Sequence, residues 1–520
     1  MTSEDGTYKR WSAINTIFFI REMSNSAPAN TESESNKPAL LQNFKGVVAT
    51  PSDEKTYNIE RWAPLAARRA AYVVYPASSG DISTAILLAR SQNLPIAISG
   101  GRHDCSGASS VEGGVVIDMR NMNAVRVDKE NMVGYIQGGT TIHHAVQELF
   151  KYGLTTALGV GATVGVAGLA VGGGLGIRMG EHGLACDNII SATMVLANGG
   201  IVNVNEKENS DLLWGIKGGG SNFGVIVELG MKLHKPWPEV CTIEYIYVPE
   251  QLSALVDELS AWLQVQTPSE TLFLAFCLGP QDGKPYLILT GMGTFGADEG
   301  QRLWGRFLKL GEWSSIRPSP YDGIQWHLKS APVTLLLQGP VMSKTAQIPY
   351  NAYTSQSEAY IAMPGNKIGC GAHFNNFDYE TIKKACDMML AVTPKAPMST
   401  ILWEFYHYDL VPSVPLEATA FPQRTKDKTA LVAVFGFADE WLSEARRAMD
   451  EIQTVVSSSS TGSARTSIGY INYASALASE NETDANARRA FGSNYPRLQE
   501  LKRKYDPEMV FNKWFCIRPA

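Results

Sequence analysis

The sequence predicts an α+β protein of two lobes, and three observations predict it. Up to about residue 238, short apolar runs end at glycine clusters, with helically spaced apolar residues between some of them. Beyond Pro236-Trp237-Pro238 the glycine density falls and strand-like runs mix with helix-like ones, the pattern of an antiparallel sheet carrying helices on one face. After a Ser/Thr/Gly-rich linker, Ser457 to Ser463, the C-terminal stretch carries its own set of aromatic and basic signals.

Taken in order, Ser24 to Lys37 is rich in Ser, Asn, Pro and Glu and reads as a flexible lead. Ala71 to Pro76 is a strand closed by proline. Ser78-Ser79-Gly80-Asp81 opens a helix whose apolar face is Ile82, Ala85, Ile86 and Ala89. Leu94 to Ser99 is the next strand and runs straight into Gly100-Gly101. Gly114 to Met119, Val125 to Val127 and Gly134 to Gly139 are further strands, followed by a helix from Ile142 to Tyr152. Leu158 to Gly183 is glycine-dense without a clean period. Ile189 to Val204 alternates as a hairpin turning at Asn198-Gly199-Gly200, and Val225 to Leu233 is a strand. In the second lobe, Thr271 to Leu278 and Tyr286 to Thr290 read as strands, and Leu252 to Gln264 and Tyr379 to Val392 as helices.

Composition narrows the function. The 520 residues suffice for two or three sizeable cores. A net charge of −6 with no long basic run argues against nucleic acid or an anionic membrane as the main partner. No apolar run approaches the ~20 residues of a membrane-spanning helix. Ile14 to Ile20 is short, is broken by Thr16 and is followed by Arg21-Glu22, so a signal peptide is not expected and a cytoplasmic location is. The seven cysteines are dispersed and form no Cys-x-x-Cys pair, which reads as buried reduced thiols. The histidines show no metal-binding spacing, and no metal is expected.

The chemistry concentrates at Ser99-Gly100-Gly101-Arg102-His103-Asp104. Two glycines after a strand let backbone N–H groups close around an anion such as a pyrophosphate. The histidine offers a ring nitrogen beside it. The Gly-x-Gly-x-x-Gly of a Rossmann fold and the Gly-Lys-Ser/Thr of a Walker loop are both missing. Exchangeable NAD or ATP is therefore disfavoured.

Several motifs in order resemble the FAD-linked oxidases of the vanillyl-alcohol oxidase and berberine-bridge type. Ser99 to His103 looks like the pyrophosphate loop with its flavin-linking histidine. Thr163-Val164-Gly165-Val166-Ala167-Gly168-Leu169, followed by Gly172-Gly173-Gly174, looks like the second flavin loop. Gly218-Gly219-Gly220-Ser221-Asn222-Phe223-Gly224-Val225 fits the same template, as do Tyr470-Ile471-Asn472-Tyr473 and Leu501 to Pro507. The likeness covers about Ala71 to His234 and Gly469 to Ile517, and it looks most like the branch containing 6-hydroxynicotine oxidase and fungal biosynthetic oxidases.

The resemblance implies a two-lobed PCMH-type FAD-binding domain and a substrate domain with an antiparallel sheet. Residues 1–44 would be the lead, 45–238 the FAD-binding domain, 239–464 the substrate domain, and 465–520 the segment completing the FAD-binding domain. It implies FAD held by Ser99, Gly100, Gly101, Arg102, His103, Asp104, Thr163, Val164, Gly168, Leu169, Gly173, Gly174, Asn222, Gly224, Val225 and Asn472. His103 would be the covalent anchor, or else a loop histidine donating to phosphate. Bicovalent members carry a cysteine where this chain has Gly161, so a single linkage is expected. The resemblance further implies a small-molecule substrate, dioxygen as the electron acceptor with Val164 near its access, and either Tyr470 or Tyr473 as the base. As a regular strand, Tyr470 and Asn472 would share one face, with Tyr473 opposite. Trp403, Glu404 and Tyr406 are the expected substrate-lining residues, Glu404, Tyr406 and Tyr408 sharing a face. A cyclase that keeps the flavin as scaffold, and an alcohol or carbohydrate oxidase, stand as alternatives. The oligomeric state is not legible.

Overall fold

The computed structural model describes residues 43–280, 282–310, 325–328, 340–357, 363–459, 468–473 and 483–520. The expected lead and the end of the Ser/Thr/Gly linker lie outside these. The chain opens on a four-stranded sheet of β1 (Val47–Ala49), β2 (Tyr72–Tyr75), β3 (Ile96–Ser99) and β4 (Val115–Asp118), in the order β1-β2-β4-β3. β4 runs parallel to both β2 and β3. Helix α1 (Ser79–Ser91) starts where the sequence places it, because the Ser78 side chain accepts from the Asp81 N–H. Its Ile82, Ala85, Ile86 and Ala89 are fully buried under this sheet.

A five-stranded antiparallel sheet follows: β5 (Val125–Asp128), β6 (Val133–Gln137), β7 (Ile189–Val195), β8 (Ile201–Val204) and β9 (Val225–Lys232), ordered β5-β6-β9-β7-β8. The glycine-dense segment between β6 and β7 holds α2 (Ile142–Phe150) and the short α3 (Val166–Val171). Helix α4 (Ser210–Ile216) lies between β8 and β9.

The second sheet system has eight antiparallel strands: β10 (Glu239–Tyr247), β11 (Glu270–Leu278), β12 (Pro285–Gly293), β13 (Gln325–Leu328), β14 (Met342–Pro349), β15 (Asn366–Phe374), β16 (Thr400–Phe405) and β17 (Lys428–Phe437). Their order is β13-β14-β10-β12-β11-β16-β17-β15, so β15 is an edge. Helices α5 (Leu252–Leu263), α6 (Ala297–Leu308), α7 (Tyr379–Val392) and α8 (Leu442–Val456) share one core with one face of this sheet. The other face, including Phe273, joins the core of the first lobe. A sheet covered on both faces reads as near-continuous apolar strands, which is why β11 and β17 show no clean alternation.

The C-terminal helices α9 (Thr483–Phe491) and α10 (Tyr495–Tyr505) pack into that same first core through Phe491, Leu498 and Leu501. Lys502 of α10 is completely buried, and its Nζ donates to Asp506 Oδ2 at 2.7 Å and to the carbonyls of Asn222 and Phe511 at 2.6 Å each. The C-terminal segment is thus tied to residues nearly three hundred positions earlier.

Candidate functional site

The loop after β3 is shaped by backbone contact. A Cβ on Gly101 would stand 2.1 Å from the backbone nitrogen of Gly165, so the two glycine loops touch main chain to main chain. Arg102 takes φ +64°, the left-handed region that costs a side-chain-bearing residue strain. Among the described residues, no acceptor is found for the backbone N–H groups of Gly101, Arg102, His103 and Asp104. Four successive unpaired amides around a left-handed residue form an anion nest. Arg61, Arg102 and Arg120 lie buried nearby, and Asp118 is the fully buried carboxylate among them, paired with Arg120 at 2.7 Å. Burial, and then the neighbouring Arg120, hold the Arg102 guanidinium below its usual range. This donor set and charge excess fit a diphosphate.

Asp104 points inward instead: its carboxylate accepts from Ser106 Oγ at 2.5 Å and Ala108 N at 2.9 Å, which closes the loop on itself. Ser99 ends β3 with its side chain buried. His103 reaches the second loop, its Nε2 lying 2.6 Å from Thr163 Oγ1. Desolvation, then Arg102 and then Lys367, push this imidazole down to about 3, so the ring is neutral. With Nε2–H donating to Thr163, the Nδ1 lone pair is the unengaged one. Val164 is half-buried against the first core, and its carbonyl accepts from Ile142 N at the start of α2. A Cβ on Gly168 in α3 would meet nothing within 4 Å, which leaves open space on that side of the second loop.

The Gly172-Gly173-Gly174 turn is read by the C-terminal motif. Asn472 fills the space a Cβ on Gly172 would need, and its Nδ2 donates to the Leu169 carbonyl at 3.0 Å. Gly173 and Gly174 take φ +114° and +87°. Tyr470 stands against the same turn: its phenolic oxygen accepts from Gly174 N at 2.9 Å, Leu175 N at 3.2 Å and Asn472 Nδ2 at 2.9 Å. A hydroxyl oxygen offers two lone pairs, and here three donors converge on it. The Tyr470 oxygen is thus engaged by the glycine turn and Asn472, unlike that of the other candidate base.

Tyr473 is differently placed. Ile471–Tyr473 is one 3-10 turn, not a strand, so the two tyrosines share a side, with ring centroids 4.9 Å apart at 87°. Tyr473 donates its hydroxyl to Glu404 Oε1 at 2.7 Å, across 69 residues of sequence. Glu404 is 2% exposed, and among the described residues its Oε2 has no hydrogen-bond partner. Burial raises its carboxyl to about 8, although the Tyr473 bond pulls the other way. Burial, and then Glu404, hold the Tyr473 phenol well above its ordinary value. The result is a dry acid–base pair in which one carboxylate can drive one phenol.

Strand β16 sorts the remaining expectations. Glu404 stands opposite Phe273 of β11 and Thr429 of β17. Tyr406, just past the strand end, meets Phe273 edge-on at 5.4 Å and joins the first core. Trp403 lies on the opposite face, packed edge-on to Phe377 in the helix-side core, so it cannot line a site shared with Glu404. That corrects its expected substrate role; alternation about Glu404 was the signal. Asn222 uses its side chain within the protein: its Nδ2 donates to the Gly219 and Trp514 carbonyls, and its Oδ1 accepts from Ile517 N. The side chain is spent tying down the C-terminal tail. A Cβ on Gly224 would stand 2.6 Å from the Val195 carbonyl, and the Val225 side chain packs into the core under the four-stranded sheet, which leaves their backbone as what they could offer a cofactor.

Two lobes, paired glycine loops around an anion nest, and a buried carboxyl–phenol pair fit an FAD-binding oxidoreductase. Comparison with known proteins agrees. Residues 70–205 match the family model described as FAD binding domain, and residues 469–514 that described as berberine and berberine like. FAD-linked oxidoreductase pgmH of Aspergillus terreus is 31% identical over 512 residues, covering 92% of this chain and 95% of the relative. (R)-6-hydroxynicotine oxidase of Paenarthrobacter nicotinovorans is 28% identical over 295 residues, covering 56% and 64%. Two solved structures share the fold. That of 6-hydroxy-D-nicotine oxidase from Arthrobacter nicotinovorans has a TM-score of 0.74 at 22% identity, over 93% of this chain and all of that one. That of glucooligosaccharide oxidase from Acremonium strictum, which carries 6-S-cysteinyl, 8α-N1-histidyl FAD, has a TM-score of 0.71 at 20% identity, over 89% and 94%. The chain belongs to the berberine-bridge-enzyme-like FAD-linked oxidoreductases, and FAD is its cofactor. Among the described residues no helix is long and apolar enough to cross a membrane, and no group of His, Cys, Asp and Glu could hold a metal ion.

Proposed function

We propose that the chain oxidises a small organic metabolite at a carbon bearing a hydroxyl group, with FAD linked to His103 and dioxygen as the final acceptor. When bound, the flavin supplies at N5 the acceptor for a hydride and hands both electrons to dioxygen, giving hydrogen peroxide. The Tyr473–Glu404 hydrogen bond carries the reading. Tyr473 takes the substrate hydroxyl proton on its phenolic oxygen and passes its own proton to Glu404 Oε1. The Tyr473–Glu404 pair gains one proton and loses its negative charge, while the electron pair of the broken C–H bond would leave with the hydride, so that the substrate oxygen ends as a neutral carbonyl. The dry surroundings strengthen each of these bonds.

The loops at 99–104 and 163–169 and the 172–174 turn would hold the cofactor mainly through backbone groups. Tyr470 and Asn472 act as braces for that turn. Phe273 and Tyr406 would wall the substrate, and their aromatic faces suit a planar ring better than a sugar. Residues 45–238 with 465–520 are the cofactor lobe in this reading, and 239–464 the substrate lobe.

The test is anaerobic mixing of the purified protein with a panel of aromatic and aliphatic alcohols and amines. Bleaching of the visible flavin band by at least one of them is expected. Conversion of a candidate without bleaching would instead mark a flavin-scaffolded cyclase.

A further inference from the structure

Trp62 lies outside both matched family regions, and Lys367 sits in the other lobe. Both nevertheless converge on His103. The Trp62 and His103 rings are stacked, with centroids 5.2 Å apart at 22°. Trp62 N donates to the Arg102 carbonyl at 3.0 Å, which pins the indole to the loop. Phe435 of β17 meets the indole edge-on at 5.6 Å. Lys367 Nζ lies 5.1 Å from the indole centroid and donates to the Trp62 carbonyl at 2.8 Å and the Gly365 carbonyl at 3.3 Å.

Lys367 is an expensive residue to place there. It is 3% exposed, and among the described residues it has no carboxylate partner. A desolvated ammonium held only by carbonyls and a π-face costs stability. Across from Lys367 the ladder is shifted: Asn366 pairs with Phe437 and Lys367 with Phe435, so Gly436 of β17, at φ +78°, is the extra residue of a β-bulge facing the edge strand β15. Such a bulge bends and twists the ladder locally, and Lys367 stands beside it with its ammonium over the Trp62 indole.

We propose that Trp62 and Lys367 are positioning residues for covalent flavin attachment, clamping the His103 imidazole so that Nδ1 is presented only once the two lobes have docked. The inference rests on His103 being the anchor. In the linkage step Nδ1 forms a bond to the flavin 8α-carbon. One C8α–H proton and the imidazole N–H proton are lost, and the electron pair of the broken C–H bond passes into the flavin ring. Dioxygen then takes that pair with two protons, leaving hydrogen peroxide and the oxidised, linked cofactor. Thr163 orients Nε2, the indole holds the ring plane, Lys367 holds the indole through its carbonyl and π-face, and burial, then Arg102 and then Lys367 keep the ring unprotonated so that the Nδ1 lone pair is available.

The full chain is produced with flavin in excess, acid-precipitated and separated on a denaturing gel. Fluorescence on the polypeptide measures linked FAD, and the supernatant measures unlinked FAD. The wild type should retain its flavin on the polypeptide. Trp62→Ala and Lys367→Met should each lower the linked share about tenfold while total bound flavin is kept, since a misaimed nucleophile loses at least this much. Trp62→Phe and Lys367→Arg should restore most of it, which a general packing defect would not explain. Should Trp62→Ala not fold, Lys367→Met and its arginine rescue decide the matter. Wild-type linkage in both Trp62→Ala and Lys367→Met, or in Lys367→Met alone where Trp62→Ala is lost, overturns the inference and leaves the His103 anchor standing. A wild type that releases all its flavin into acid overturns both.

Discussion

Glu404→Gln should separate catalysis from stability in opposite directions. In the wild type the carboxyl titrates near 8, so about one molecule in ten holds it ionised at pH 7. Only the ionised form can receive the Tyr473 proton. Flavin reduction at saturating substrate should therefore climb about tenfold per pH unit below 8 and level off above it. Removing the carboxylate should lower the plateau about 10²-fold or more and flatten the profile. Stability runs the other way. The folded-state value is raised above the unfolded 4.5, so the wild type loses stability as pH rises from about 4.5 to about 8. At pH 7 that cost is about 3 kcal/mol, an upper figure for a carboxyl with no counter-cation among the described residues. Glutamine carries no such cost, so the variant should melt higher than wild type at pH 8 and lose the advantage at pH 4. Stopped-flow reduction without oxygen, paired with thermal melts across pH 4 to 9, reads both effects. A variant that reduces its flavin at the wild-type rate with the wild-type profile would refute the proton-acceptor role.

Three further outcomes follow from the same geometry. Tyr473→Phe should slow flavin reduction about 10²-fold, whereas Tyr470→Phe should act mainly by orphaning the Gly174, Leu175 and Asn472 donors, at a cost of about 1–3 kcal/mol in denaturant melts. Equal kinetic losses in the two variants would contradict that division. Gly101→Ala should abolish flavin binding, measured as the flavin-to-protein absorbance ratio, because its Cβ would overlap the Gly165 nitrogen. Lys502→Met should destabilise the chain by about 3–5 kcal/mol in a denaturant melt, since it strands the fully buried Asp506.

The strands and helices of the first lobe were legible because each carries a local signal. Ser78 caps α1, Asn198-Gly199-Gly200 turns the β7–β8 hairpin, and Ser99 runs into paired glycines. The glycine loops were legible for the same reason: close backbone approach tolerates few residue types, so the requirement is written into composition. The Tyr470–Tyr473 segment was legible as a motif but not as a geometry. Its 3-10 turn brings both rings to one side, and what separates them chemically is which partners each oxygen meets.

Partners remote in sequence left no local trace. Glu404 announces only a carboxylate amid aromatics, and nothing near it names Tyr473. Trp403 and Glu404 are adjacent in sequence and go to opposite cores, a choice made by which face of β16 the helices cover. Asn222 sits within a glycine-rich motif yet serves the C-terminal tail, because Trp514 and Ile517 fold back onto it. Trp62 and Lys367 belong to no motif at all.

By itself, then, the sequence determined the two-lobed α+β class, the anion-binding glycine loops and His103 as the ring nitrogen beside them, and the resemblance of its motifs to the FAD-linked oxidases pointed to FAD as the cofactor. The tertiary structure decided which partners each tyrosine oxygen meets, backbone amides and Asn472 for Tyr470 and Glu404 for Tyr473, and it stacked Trp62 on His103 with Lys367 behind the indole. The physical reason is range. Backbone conformation and helix capping are set by neighbours along the chain, whereas protonation, orientation and hydrogen-bond saturation are set by whatever the folded chain brings within about 3 Å.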